Sequence, residues 1–168
     1  MDFQELIRRR YSVREYRPEP VSEEALARIL EAGRLAPTAA NRQPFRIVVL
    51  HAAGRQAALG RVYARAWFLQ APVVICVCGV PEEAWVRQDG RSHMDVDAAI
   101  VMDHLILAAT DEGLGTCWIA AFDPDAAREV FEVRPGEVPL LLTTLGHAAD
   151  RPRPKERRSL ASLVRRIR

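Results

Sequence analysis

Residues 20–50, PVSEEALARILEAGRLAPTAANRQPFRIVVL, contain a helix, a turn and a strand in immediate succession. Pro20 and Ser22 introduce the helix, with Ser22 suited to cap its first turn, and Leu26, Ile29, Leu30 and Gly33 recur at helical spacing until Pro37 stops it. The turn that follows, Ala36 to Pro44, is made of small residues with two amides, Asn41 and Gln43. Phe45 to Leu50 is dense in β-branched residues and reads as a buried strand. Small side chains at such a turn let a flat ligand approach the backbone. A plain helix-to-strand connection with a capping Asn uses the same residues.

Working outward, Phe3 to about Arg10 reads as a short helix, and Arg55 to Leu69 as a helix ended by Pro72. Val73 to Gly79 is a second strand. Pro81 to His93 is polar, holds Gly and Pro, and is expected to be a mobile loop. Val96 to Glu112 is apolar almost all round, a composition that belongs in the middle of a domain or in a dimer interface. Gly113 and Gly115 close that helix. Thr116 to Ala121 is short and extended, Asp123-Pro124 starts a helix, and Val138 to Gly146 is a last strand.

With 168 residues the chain suffices for one domain. About half its residues are apolar and about a quarter charged, the balance of a globular protein. No stretch approaches a membrane span, and the start MDFQELIRRRYS has charges where a signal peptide has an apolar run, so the expected location is cytoplasmic. Cys76, Cys78 and Cys117 have no metal-ligand or redox spacing and read as core filler. The net charge of +2 hides an asymmetry: residues 151–168 hold seven Arg and one Lys against one Glu, leaving −5 for the rest. A basic end can serve nucleic acid or an acidic membrane. Neither is expected here, because Leu160, Leu163, Val164 and Ile167 make an apolar stripe that nucleic acid cannot use.

Three segments could carry chemistry. Arg10, Ser12 and Arg14 alternate along an extended stretch and can converge on an anion, although basic residues at a helix end also serve as a solvated terminus. The 36–45 turn is the second. Lys155 and Arg157, two apart after the last strand, can share a phosphate. His93 and Asp97, four apart, could share a metal, but two ligands make no site and a surface pair is the expectation, with no metal. His147 is at most an outer group.

Taken in order, RRRYSVREY at 8–16, the stretch at 20–50, GLGTCWIAAF at 113–122 and LGH…RPRPKERR at 145–158 resemble the nitroreductase family over about Asp2 to Arg158. That resemblance implies an α+β fold with a central, mostly antiparallel sheet flanked by helices, and a homodimer with FMN at its interface. Carried over by position, Arg10, Ser12, Lys155 and Arg157 would hold the FMN phosphate, with Arg14 toward the pyrimidine side and Tyr11 a secondary contact. Pro37, Thr38, Ala39 and Asn41 would come from the opposite subunit. Trp118, Ile119, Ala120 and Ala121 would run along the isoalloxazine, with a backbone N–H near Ala120 facing N5.

The flavin carries the redox chemistry, so no catalytic side chain is implied. The expected activity is transfer of electrons from NADH or NADPH to a small oxidised acceptor such as a nitroaromatic or quinone. Reductive dehalogenation or flavin fragmentation on the same fold, and a non-redox flavin-binding or sensor protein, are the alternatives. Residues 1–158 would form the FMN-binding domain and 159–168 a tail packing on the partner subunit. The chain departs from longer relatives in its short middle. Residues 63–67 offer the flavin pyrimidine edge only Arg65, and Ala120 and Ala121 replace the acidic or glycine residues common beside N5.

Overall fold

The computed structural model describes residues 1–167; Arg168, the end of the expected tail, lies outside the described residues. Its strands are β1 (Phe45–His51), β2 (Val73–Gly79), β3 (Gly115–Ile119) and β4 (Val138–Gly146), and its helices α1 (Phe3–Arg9), α2 (Glu23–Arg34), α3 (Gln56–Val62), α4 (Ala66–Gln70), α5 (Met94–Asp111), α6 (Pro124–Val130) and α7 (Leu160–Leu163). The strands pair antiparallel throughout in the order β1-β2-β4-β3.

Every residue of β2 is buried, because helices cover both faces of the sheet. Val73, Ile75 and Val77 point into one core with Leu26 and Ile29 of α2 and Val101, Met102 and Leu105 of α5. Val74, Cys76 and Cys78 point the other way, onto Leu59 and Val62 of α3, Phe68 of α4 and Val130 of α6. The alternation of a strand thus divides one apolar run between two cores. A bulge between Val77 and Cys78 sets Cys78 opposite Pro139.

Ser22 caps α2 by accepting from the Ala25 amide, and Asp123 caps α6 by accepting from Asp125 and Ala126. α5 ends where Gly113, at φ +75°, lets the chain turn back and the Leu114 amide reach the Ala109 carbonyl.

Three expectations fail locally. β1 lies at the sheet edge and buries only Leu50, so it is half-covered and not a buried strand. The expected helix over 55–69 is broken at 63–65. Tyr63 is extended there, the Val62 carbonyl accepts from the Asp123 amide, and Tyr63, Trp67 and Phe68 pack edge to face. The segment 81–93 is not a plain loop: Pro81–Glu83 form one 3₁₀ turn, and a short hairpin follows in which Val86 is bridged to Ser92 and the Arg87 side chain is held by Asp89.

Candidate functional site

The chain leaves α1 in an extended form that adds to the outer edge of the sheet. Ser12 bridges Thr116 of β3 in parallel, and the Val13 amide donates to the Thr116 carbonyl at 2.9 Å. Val13 is fully buried beside Tyr16 and Ala71, so the residues flanking it turn outward together. After β4 the chain returns alongside, with the Ala149 amide donating to the Glu15 carbonyl at 2.8 Å. The two segments enclose a cleft of 580 Å³ whose lining includes Arg10, Tyr11, Ser12, Arg14, Lys155 and Arg157. Residues about 145 positions apart in sequence therefore share one wall.

Asp150 stitches the two segments together. Its carboxylate accepts from the Arg14 amide at 2.8 Å and the Tyr11 hydroxyl at 3.2 Å, and its carbonyl accepts from the same hydroxyl at 3.0 Å. Burial, followed by the charge and hydrogen bond of Asp150, pushes the Tyr11 phenol up to about 12. Tyr11 is thus a tether within the cleft wall. Asp150, Arg151 and Arg153 also line the cleft and were not singled out from sequence. An acid among arginines in a proline-rich run carries no periodic signal of its own.

Six cations share the lining of the cleft with two carboxylates, those of Asp150 and Glu156. Among the described residues, none of Arg10, Arg14, Arg151, Arg153, Lys155 and Arg157 has a carboxylate within ion-pair distance. Lys155 donates to the Ile7 and Arg8 carbonyls at the C-terminal end of α1, where a cation meets the negative end of the helix. Burial and then the neighbouring Arg10 and Arg157 hold its ammonium below the usual lysine value. A dianion placed here would remove that repulsion and accept charge-assisted hydrogen bonds from several sides. The Arg14 guanidinium also lies 6.0 Å from the centre of the Trp67 ring.

The remaining expected residues stand apart from this cleft within one chain. Pro37, Thr38, Ala39 and Asn41 belong to the loop between α2 and β1, and Trp118, Ile119, Ala120 and Ala121 to the end of β3; none of them lines the cleft. Ile119 is a core residue, whereas Trp118 is exposed and lies with Val96, Ala99 and Ile100 of α5 along a second, shallow surface hollow of 550 Å³. His93 and Asp97 are not a surface pair. Asp97 is 1% exposed and accepts from the Ala39 amide at 2.8 Å, and the His93 ring packs edge-on against Trp85 at 4.8 Å. Helical spacing could not reveal which loop covers that end of α5. Among the described residues no group of three or more metal-ligating side chains gathers.

Fold and cleft together define a three-layer α+β protein with a cation-rich cleft at the edge of an antiparallel sheet. A family model described as the nitroreductase family matches residues 7–66 and 52–147, and the chain belongs to that family. A nitroreductase family protein from Clostridium difficile 630 is 34% identical, with a TM-score of 0.87 and 98% of both chains covered. A protein of Thermus thermophilus named NADH dehydrogenase is 29% identical over 191 residues, covering 93% of this chain and 91% of the relative. A structure from Desulfovibrio desulfuricans, described as a nitroreductase in complex with FMN, is 27% identical with a TM-score of 0.82, covering 98% of this chain and 95% of that one.

Proposed function

We propose that this chain is an FMN-dependent oxidoreductase that takes electrons from NADH or NADPH and passes them to a small oxidised acceptor such as a nitroaromatic or quinone. The observation that carries the reading is the convergence on one cleft of the Ser12 hydroxyl and four cations, Arg10, Arg14, Lys155 and Arg157, none of which has a carboxylate within ion-pair distance among the described residues. The donor set fits the group. A phosphate monoester carries close to two negative charges and offers several acceptor oxygens, which suit guanidinium forks, an ammonium and a hydroxyl. The relative solved with FMN, and the relative named for NADH, support the same cofactor and donor.

FMN, when bound, supplies the two-electron chemistry. In this reading Arg10, Ser12, Lys155 and Arg157 hold its phosphate, Arg14 lies toward the pyrimidine, and Tyr11 keeps the wall in place through Asp150. Trp118 to Ala121 run along the ring. Pro37, Thr38, Ala39 and Asn41 of a second copy close the other side. The homodimer is supported by apolar surface that one chain leaves open: Val96 and Trp118 beside Ile100, and Leu160, Leu163, Val164 and Ile167 in the tail, the last 87% exposed. Residues 1–158 are then the FMN-binding domain, and 159–168 clasp the partner subunit. Cytoplasmic location and a small-molecule substrate, without nucleic acid or membrane as partners, complete the proposal. Among the described residues no helix is long and apolar enough to cross a membrane.

The test is anaerobic. Purified protein supplied with FMN should be yellow and should bleach on addition of NADH or NADPH, with colour returning when a quinone or nitroaromatic is added. Persistence of the yellow colour with both nucleotides would remove the oxidoreductase reading.

A further inference from the structure

Asp97 is the only charged side chain in the fully buried class among the described residues. It sits in the first turn of α5, one residue before Ala98 and four before Val101, both members of the main core. A carboxylate in such surroundings is costly to desolvate, and the positive N-terminal end of an 18-residue helix offsets only part of that. Its one hydrogen bond is informative. Oδ1 accepts from the Ala39 amide at 2.8 Å, and Oδ2 has no partner. An apolar residue would pack there at lower cost, so the charge is explained by what it holds.

What it holds is a strained loop. Ala40, Asn41 and Gln43 have φ of 52°, 53° and 52°, the left-handed region that side-chain-bearing residues disfavour. The other bonds of this loop are local: the Gln43 amide donates to Thr38 Oγ1 at 3.0 Å, and the Gln43 side chain donates to the Asn41 carbonyl at 3.2 Å. Among the described residues, the Asp97 carboxylate makes the one hydrogen bond that ties residues 38–43 to a part of the chain distant in sequence.

We propose that Asp97 is the positioning residue for the flavin-facing loop. Its Oδ1 latches the Ala39 amide and fixes the left-handed run in the form that presents Pro37, Thr38, Ala39 and Asn41 to the flavin bound by a neighbouring copy. This rests on the FMN reading above. Asp97 touches no cofactor; it acts through the loop.

The experiment titrates apoprotein with FMN, followed by quenching of flavin fluorescence and by the visible absorption band, for the wild type, Asp97→Ala, Asp97→Asn and the double variant D97A/A40G. D97A should bind FMN at least tenfold more weakly with an altered flavin spectrum. D97N, which retains an acceptor oxygen for the Ala39 amide, should stay within about threefold of wild type. Glycine at position 40 relieves the left-handed penalty, so D97A/A40G should recover part of the loss.

Unchanged affinity and spectrum in D97A, or equal losses in D97A and D97N, would overturn the latch. Should D97A not fold, amide exchange of wild-type protein decides: the Ala39 amide should exchange at least a hundredfold more slowly than an unbonded amide, and exchange at the free rate overturns the proposal. A wild type that binds no FMN is a separate result, since it refutes the cofactor reading and leaves the exchange measurement standing on its own.

Discussion

Replacing Gly115 by Ala tests how the sheet edge carries the anion cleft. A Cβ at Gly115 would lie 2.5 Å from Val13 Cγ2, 3.1 Å from its Cβ and 3.2 Å from Cγ1. Ordinary carbon contacts lie at about 3.5–4.0 Å, so Val13 must retreat by roughly 1 Å. It has little room to do so, being fully buried and tied through its amide to the Thr116 carbonyl. Overpacking of this kind costs about 1–3 kcal/mol. At about 2–4 °C per kcal/mol for a chain of this size, the melting temperature should fall by roughly 2–12 °C.

The displacement also has a functional reading, because Ser12 and Arg14 flank Val13. Loss of one charge-assisted hydrogen bond to phosphate, about 1.5–3 kcal/mol, weakens FMN binding by roughly 10–150-fold. Scanning calorimetry and flavin titration measure the two effects. Gly60→Ala is the control, since a Cβ there meets nothing within 4 Å, and in α3 it should raise stability by about 0.5–1 kcal/mol. A G115A protein that melts within 1 °C of wild type and binds FMN equally well would refute the reasoning.

Three further outcomes are expected. The Tyr11 phenol is raised to about 12 by burial and then by Asp150, so the neutral form is the one the fold favours; its stabilisation is whole below the unfolded value of 10 and is lost as pH rises through 12. Denaturation of wild type and Tyr11→Phe across pH 9–12 should show their stability difference changing over that interval, and a constant difference would speak against the tether. Lys155→Met removes the cation from the end of α1 and should cost about 0.3–1 kcal/mol of stability together with weaker FMN binding, read by melting and flavin titration. Cys76, Cys78 and Cys117 are all buried, and burial raises the Cys117 thiol, so a disulfide thiol reagent should find no fast-reacting group in native protein and three after denaturation.

Strands β2 and β4 were legible in the sequence to their end residues, because dense β-branched and apolar runs bounded by Pro and Gly leave little choice. α2 was legible through Ser22 and the spacing of Leu26, Ile29 and Gly33. Burial of β1 was not, since a strand covered on one side and open at its edge has the same composition as a central one. Nor was the break at Tyr63, which depends on Asp123 reaching Val62 from 61 residues away. The cationic residues were visible as two pairs, Arg10 and Arg14 four apart and Lys155 and Arg157 two apart, and the fold brings both pairs to one cleft. Asp150 and Asp97 were opaque for a common reason: each acts through a backbone amide more than 50 positions away, and no local pattern records such a partner.

The central claim is that the cleft grips a phosphate monoester, and comparison of FMN with riboflavin on the same apoprotein measures that directly. Riboflavin keeps the ring and the ribityl chain and lacks only the charged group. With two or more charge-assisted contacts at about 1.5–3 kcal/mol each, FMN should bind roughly 10²–10⁴-fold more tightly at low salt, and Arg10→Ala with Arg157→Ala should close most of that gap. Equal affinity for the two flavins, or a gap that survives loss of both arginines, would contradict the account.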